Sequence, residues 1–498
     1  MTAGHTGANL TNMKSSAITR FLLYGVAAMA CGLGSCLSTS REQADSPPNF
    51  IFIFTDDQRF DMAHALGDKS LITPNLDRLV KEGTTFTHAY NMGAWHGAVC
   101  VASRSMLLSG RSVWNARAAE DRFDEYAKQG AFWPQALERA GYETYMSGKW
   151  HIKADPADVF RHVRHVRPGM PNQTPAGYNR PLNPTDTAWQ PWDHTFEGFW
   201  KGGKHWSEVL ADDGVEYISQ AKEQDKPFFM YLAFNAPHDP RQSPREYVEK
   251  YPVDKIALPP SYLDLYPYQD SIGLGPSLRD EALAPFPRTP FAVKKHIQEY
   301  NAIVSHLDSQ IGRLLDALEK SGKKDNTYIL FTSDHGLAVG RHGLMGKQNM
   351  FDHSMRVPLV IVGPGIPKGK RLSQQVYLQD VAATILDLAA LEKTPEMEFN
   401  SLMPYLTGTE NTPSAYGAIY GCYMNLQRMV RTEEYKLIVY PKASKALLFD
   451  MKKDSHEMND LSEEPAYREI KGELLKQLGQ LQQQFNDPLD LDLDQYLE

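Results

Sequence analysis

Four times along the chain a short apolar run stops at a cluster of charged or imidazole side chains. NFIFIFTDD (49–57) ends at Asp56 and Asp57, and FWPQALERAGYETYMSGKWH (132–151) reads as a helix ending near Gly141, then a strand toward Gly148 with Lys149 and His151 at its exit. KPFFMYLAFNAPHDP runs directly into His238, and NTYILFTSDHG ends at Asp334 and His335. Runs this short and this apolar are strands buried on both faces. Helical patterns separate them. In TPNLDRLVKEG, Thr73 stands at the N-cap, Pro74 at the first helical position and Gly83 just past the end. Over residues 293–321, Tyr300, Val304, Leu307, Ile311, Leu314 and Leu318 step by three or four, and Gly322 closes the helix. The alternation, with VPLVIVGPG as a further strand, predicts an α/β fold: a large, mostly parallel sheet sandwiched by helices. Ligands of such sheets bind beyond the carboxyl ends of the strands, where all these polar clusters fall.

With 498 residues, 42% of them hydrophobic, the chain has material for one large domain and a smaller one. The formal net charge is −9 and there is no long basic block, which argues against a nucleic-acid partner. From Met13, with Lys14 and Arg20 ahead of a short apolar run, the N-terminus reads as an export signal too short to span a bilayer comfortably. Leu33-Gly34-Ser35-Cys36 resembles a bacterial lipobox, so Cys36 is either a lipidated mature N-terminus or a chance cysteine in an ordinary cleaved signal. The expected location is the periplasm or the surface of a bacterium. The expected divisions are a signal at 1–36, a linker at 37–47, a catalytic domain at 48–408 and an α+β subdomain at 409–498, with an antiparallel meander and a Glu/Gln/Leu-rich helix ending near Asn486. Residues 152–206 and 239–290 are long and irregular, as pocket walls and lids are.

Two of the four cysteines, Cys31 and Cys36, belong to the signal, leaving Cys100 and Cys422 in the folded body. One pair could bridge, but it makes no disulfide framework. Cys100 sits in GAVCVASRSMLLSGR, beside Arg104, and a cysteine there is a reactive thiolate, a metal ligand, half of a disulfide or a precursor of another group. The carboxylates at the strand ends would repel one another without a cation between them, and oxygen-rich ligation suits Ca²⁺ or Mg²⁺ better than zinc. Arg104, Lys149, His151, His238 and Lys347 would surround a tetrahedral oxyanion. Each alone has an ordinary structural reading; their joint arrival at successive strand ends favours a site.

CVASRSMLLSGR resembles the type I sulfatase signature C-x-P-S-R followed by L-T-G-R, and TDDQR, GKWH, APHDP, SDHGLAVGRHGLMGK and VPLVIVGPG match blocks of that family in order. The resemblance spans residues 49–461 and implies the alkaline-phosphatase-like fold. It also implies oxidation of Cys100 to Cα-formylglycine, whose hydrated aldehyde attacks sulfur while the ester oxygen leaves from the opposite side. The second hydroxyl then expels sulfate. By motif position, Asp56, Asp57, Asp334 and His335, with the modified Cys100, would hold one Ca²⁺, and Lys149, His238 and Lys347 would bind sulfate oxygens. His151 and His238 are the acid and base candidates, and Arg104 would position the aldehyde. Ala102 stands where the common signature has Pro, which bears on the formylglycine-generating maturation enzyme that the chain would need.

GKWH and SDHG are similar to iduronate-2-sulfatase-like blocks, which points toward a sulfated glycan. The tryptophans Trp189, Trp192, Trp200 and Trp206, with His205, Arg161, Arg164, Arg167 and Arg428, are candidate sugar contacts, against the plain alternative that the tryptophans pack the loops on the sheet. HVRHVR (162–167) is expected to be a solvated basic turn. The alternative activities are aryl- or choline-sulfatase-like hydrolysis and phosphonate or phosphate ester hydrolysis on the same fold.

Overall fold

Strand β1 (Asn49–Asp56) shows how the core is divided: Phe50, Phe52 and Phe54 face one layer of helices, and Ile51 and Ile53 the other. All five are within 2% of full burial, each stabilising the fold by roughly 1.5–3 kcal/mol. The computed structural model describes residues 46–497 apart from 168, 170–173, 197–199 and 409–411. The expected export signal, with Cys31 and Cys36, lies outside the described residues.

After β1 come α1 (Pro74–Glu82), β2 (Thr84–Tyr90) and a two-residue strand β3 (Gly93–Ala94). Helix α2 (Val99–Ser109) and three short helices, α3 (Val113–Ala119), α4 (Phe123–Lys128) and α5 (Trp133–Arg139), lead into β4 (Glu143–Lys149) and β5 (His162–Arg167). The small hairpin β6 (Trp200–Lys201) and β7 (Lys204–His205) introduces α6 (Trp206–Lys222) and β8 (Phe228–Pro237). Then follow α7 (Arg245–Val248), α8 (Pro290–Ser321), β9 (Thr327–Ser333), α9 (Asp352–Met355), β10 (Arg356–Val357), β11 (Leu359–Val362) and β12 (Lys370–Tyr377). Helices α10 (Asp380–Leu388) and α11 (Met403–Thr407) precede the meander β13 (Ile419–Tyr423), β14 (Gln427–Arg431), β15 (Tyr435–Tyr440) and β16 (Lys445–Asp450), and α12 (Arg468–Gln484) follows it.

The large sheet has nine strands in the order β10-β2-β11-β9-β1-β8-β4-β5, with β12 also on β2. β1, β4, β5, β8 and β9 run parallel, and β11 is antiparallel to its neighbours β9 and β2. Helices α6 and α8 cover one face, through Tyr217, Ile218, Leu307, Ile311 and Leu314; α2 and α5 belong to the other, through Met106, Leu107, Trp133 and Leu137. The meander forms a second sheet on which Leu474, Leu475 and Leu478 of α12 pack. Pro47–Glu498 forms one compact unit.

Helix α8 starts at Pro290, three residues before the expected start, because the Thr289 hydroxyl caps the Ala292 amide at 3.2 Å; Gly322 ends it in the left-handed conformation at φ 75°. The expected Thr73 cap on α1 is not made. The Thr73 hydroxyl instead accepts the His64 amide at 2.8 Å, and the α1 amides of Asn75 and Leu76 are taken by Asp308 of α8 at 3.0 and 2.7 Å. A cap drawn from another helix leaves no local signal. Gly83 has a packing reason: a Cβ there would lie 2.3 Å from the Ile361 carbonyl of β11. HVRHVR is not a turn but the edge strand β5, tied to the body by His162 on Glu143 and His165 on Asp213, both at 2.9 Å.

Candidate active site

The parallel register brings the strand ends level: Asp56 of β1 lies beside Pro237 of β8, and Thr55 beside Ser333 of β9. His238 and Asp334, each the next residue on its strand, therefore arrive at one place. Asp57 turns through φ 70°, a region unfavourable for a non-glycine residue. Its amide donates to Asp334 Oδ1 at 3.0 Å and its carbonyl accepts the Tyr300 hydroxyl at 2.6 Å, which holds the turn.

Cys100 occupies the first turn of α2, 3% exposed. Its thiol lies 3.2 Å from Asp56 Oδ1, and Lys347 Nζ donates to Sγ at 3.1 Å. Burial first, then the charges of Asp334 and Asp56, push the thiol pKa well up, so the thiolate reading of Cys100 is disfavoured. Cys100 and Cys422 are both free, so the disulfide between them is not formed. Arg104 falls one helical turn after Cys100. Its Nε binds Asp334 Oδ2 at 3.1 Å and its Nη1 the Lys149 carbonyl at 3.0 Å, over the Phe54 ring.

Lys149 reaches the site because Gly148 takes φ 98°, where a Cβ would lie 2.0 Å from the Ala233 carbonyl. Its ammonium contacts the Asp56 carboxylate. Lys347 Nζ is 2.6 Å from both oxygens of Asp57. His238 Nδ1 lies 2.7 Å from the Asp239 carbonyl, which assigns the proton to that nitrogen and leaves Nε2 as a lone pair, 3.7 Å from Asp57 Oδ2. Burial and Lys347 hold its pKa well below the imidazole range. His151, at φ 58°, is half-buried; burial and Lys149 lower its pKa to about 3, and its Nδ1 has no hydrogen-bond partner among the described residues.

Asp56, Asp57, Cys100 and His238 each place one ligand atom within 4.8 Å of the others. Burial pushes Asp57 well above the carboxylate range despite Lys347. For Asp56 and Asp334 burial also pushes upward, but the nearby cations outweigh it and hold both low. Buried carboxylates drawn this close together fit a hard divalent ion, which would offset their mutual repulsion. Asp334 and His335 are outside this tight group: Asp334 is held by Arg104 and the Asp57 amide, and His335 Nε2 lies 3.0 Å from the Val99 carbonyl. The His335 Nδ1 is buried without a partner among the described residues, a lone pair suited to a cation.

His205 and Arg428 are not brought to this cluster. His205 is fully buried at the start of α6, Nδ1 accepting the Ser207 amide at 3.1 Å and Nε2 at 2.9 Å from the Gln242 carbonyl. Arg428 is spent on Asp487, the Met424 carbonyl and the face of Trp114. Trp189 stacks on Phe196 and under Arg180, Trp200 on His194, and Trp206 under Arg167. Arg161 pairs with Glu138 and Glu143, and Arg164 with Glu216.

A set of residues absent from the expected list backs the site. Asp239 binds Arg279 at 2.6 Å, Arg279 contacts Asp280, Asp280 accepts Gln348 Nε2 at 2.7 Å, and Gln348 Oε1 accepts the Lys347 amide at 3.0 Å. Asp239 and Gln348 adjoin His238 and Lys347 in sequence and were visible there; Arg279 and Asp280, in the long 239–290 segment, gave no signal.

This fold, with buried carboxylates and lysines gathered around a cysteine at the strand ends, defines an oxyanion-handling hydrolase of the alkaline-phosphatase-like type. The profile described as "Sulfatase" matches residues 48–391, and that of "N-sulphoglucosamine sulphohydrolase, C-terminal" matches 340–484. The chain belongs to the sulfatase family, whose members hydrolyse sulfate esters. It is 26% identical to an N-acetylglucosamine-6-O-sulfatase of Bacteroides thetaiotaomicron, over 95% of this chain and 92% of that one. It is 29% identical to a choline-sulfatase of Rhizobium meliloti, over 84% and 83%. A solved structure in complex with its substrate D-glucosamine-2-N,6-O-disulfate superposes with a TM-score of 0.70 at 25% identity, over 89% of this chain and 99% of that one. The phosphonate monoester hydrolase of Agrobacterium radiobacter shares the fold, with a TM-score of 0.68 at 22% identity, over 88% and 96%.

Proposed function

We propose that this sulfatase removes O-sulfate from a sulfated carbohydrate through a nucleophile made from Cys100. The observation that carries the reading is the position of the Cys100 sulfur, 3.2 Å from Asp56 and 3.1 Å from the Lys347 ammonium, in a group that also includes Asp57 and His238. Asp56, Asp57, Asp334 and His335, with the group at position 100, would hold Ca²⁺. When present, the ion supplies Lewis-acid polarisation, and a formylglycine at Cys100 supplies the hydrated aldehyde that attacks sulfur.

The chain's own residues divide the remaining work. Lys149 and Lys347 place two cations where the sulfate oxygens gain charge. His238, neutral with a bare Nε2, is suited to accept a hydrogen bond from the group at position 100, and in this tautomer it has no N–H for the sulfate oxygens expected of it. His151, at the exit of β4 and neutral like His238, is the second acid–base candidate. Arg104 is a positioning residue: it ties Asp334 to the Lys149 backbone, fixing β4 against β9. The glycan assignment is supported by the N-acetylglucosamine-6-O-sulfatase relative and by the solved structure bound to a glucosamine disulfate. Export, with or without a lipid at Cys36, and dependence on a formylglycine-generating enzyme complete the proposal.

The test is mass spectrometry of the tryptic peptide containing Cys100, from a host with sulfatase maturation. Sulfate release is measured alongside, for wild type and Cys100→Ala, across sulfated sugars, aryl sulfate, choline sulfate and a phosphonate monoester. Formylglycine at Cys100, release abolished in the variant and highest kcat/KM on a sulfated sugar are expected. Release that survives Cys100→Ala with an unmodified thiol overturns the mechanism, and a higher kcat/KM on the phosphonate overturns the substrate class.

A further inference from the structure

A cavity of about 560 Å³ adjoins the Asp57–Arg59 turn. Tyr300 lines it, and the hydroxyl of the same residue donates to the Asp57 carbonyl and accepts the Arg59 amide at 3.0 Å. The cavity thus shares one side chain with the catalytic turn. Its charged lining is Arg59, Lys69, Lys250, Lys255 and Arg341 against the single carboxylate of Asp68, on a chain whose net charge is −9. Such a concentration of cations on an acidic protein needs a reason.

The two arginines form its inner wall. Arg59 is 3% exposed, with Nε on the Asp61 carboxylate and Nη2 3.0 Å from Met62 Sδ. Arg341 is presented by a turn in which Val339, Gly340, His342 and Gly343 all have positive φ, and its backbone makes an antiparallel bridge to Tyr262. The one hydrogen bond described for its guanidinium is to the Ala338 carbonyl, at the 3.5 Å limit. No carboxylate lies within ion-pair distance of it among the described residues. Burial, then the charge of Arg59, lowers its pKa to about 10. A half-buried guanidinium with one long protein hydrogen bond keeps donors facing solvent that an anion can take up. At the rim, Lys69 reaches the His64 carbonyl, Lys250 lies over Tyr247, and Lys255 pairs loosely with Asp254 at 3.8 Å.

We infer that this cavity is a second oxyanion site, distinct from the one where the ester is cleaved, in which the Arg341 fork binds a sulfate or carboxylate group and the lysines draw it in. Guanidinium forks match planar or tetrahedral oxyanions through two parallel hydrogen bonds. Tyr251, Pro259 and Pro260 add apolar wall suited to a sugar face. The oxyanion has two sources, a further acidic group on the glycan chain or the free sulfate that the reaction releases. Only the first rests on the glycan reading above.

The experiment titrates full-chain protein calorimetrically with a sulfated oligosaccharide bearing at least two acidic groups, and separately with sodium sulfate. Wild type is compared with Arg341→Gln, Arg341→Lys and the rim pair Lys250→Ala with Lys255→Ala. For a glycan source, Arg341→Gln weakens oligosaccharide binding at least tenfold, Arg341→Lys restores part of it, and turnover of a small aryl sulfate stays within twofold. For the free-sulfate source, Arg341→Gln removes one sulfate-binding event and leaves the oligosaccharide unaffected. If neither probe distinguishes Arg341→Gln from wild type, the inference is overturned. Should Arg341→Gln fold poorly, the exposed rim pair decides: unchanged affinity for both probes overturns it. Binding is read on the protein whether or not it turns over sulfate esters, so a failure of the proposed function remains separate.

Discussion

Lys347 grips both carboxylate oxygens of Asp57 at 2.6 Å while donating to the Cys100 sulfur at 3.1 Å, so one ammonium joins the metal-type cluster to the nucleophile position. Lys347→Met removes this link and the cation that offsets the burial of Asp57. The expected result is a fall in kcat of about 10²–10³-fold, the usual size for loss of one preorganised oxyanion partner. A kcat within threefold of wild type at saturating metal would remove Lys347 from the machinery.

Stripping divalent ions with a chelator is expected to abolish turnover and lower Tm, because a ligand held only by the folded state, at 100 times its Kd, contributes about 2.7 kcal/mol. Readdition of Ca²⁺ should restore both. Activity indifferent to chelation after exhaustive dialysis contradicts the role given to Asp56 and Asp57.

Gly148→Ala places a methyl 2.0 Å from the Ala233 carbonyl at a φ of 98°. Strain and overpacking together predict a loss of about 3 kcal/mol. The denaturant midpoint measures it, and a shift under a third of that would show the strand pair can spread without penalty.

Burial raises the Asp308 pKa to about 6, against the hydrogen bonds it accepts at the start of α1. The folded chain therefore binds this proton more tightly than the unfolded chain, and stability falls as pH rises from about 4 to about 6. A shift of about two units corresponds to about 3 kcal/mol across that window. Asp308→Ala loses the cap, by about 1 kcal/mol, and also flattens this part of the Tm profile. An unchanged slope in the variant contradicts the assignment.

Arg428→Ala leaves Asp487 without its guanidinium partner in the interior, which costs about 3–5 kcal/mol. His205→Ala removes the α6 cap at about 1 kcal/mol. Both variants are expected to keep the kcat/KM of a small sulfate ester once the folded fraction is corrected for. A selective rise in KM for a sulfated sugar with unchanged stability would return either residue to the substrate.

The central strands and their polar exits were legible because β1, β8 and β9 carry buried apolar runs that stop where the chemistry begins, while the mostly polar β4 is marked by the helix before it and by the lysine and histidine at its exit. What could not be read was long-range hydrogen bonding: Asp308 capping a helix 232 residues earlier, and Arg279 reaching Asp239 across 40 residues. HVRHVR is solvated, as its basic residues suggest, but it is an edge strand and not a turn because it pairs with β4, and its anchors Glu143 and Asp213 lie on other elements. Arg428 and His205 failed to join the cluster for a related reason. A polar residue in a loop or meander signals a ligand or a buried partner equally well, and only the fold reveals Asp487 and the Ser207 amide.

At 3% exposure, inside the first turn of α2 and ringed by Asp56, Lys347 and Asp57, the Cys100 side chain is out of reach of another enzyme's active site once the chain has collapsed. The consequence concerns timing. Any enzyme that alters this side chain must meet a nascent or still extended polypeptide, so the choice between altered and unaltered protein is made once, before the sheet closes, and a finished molecule cannot be repaired.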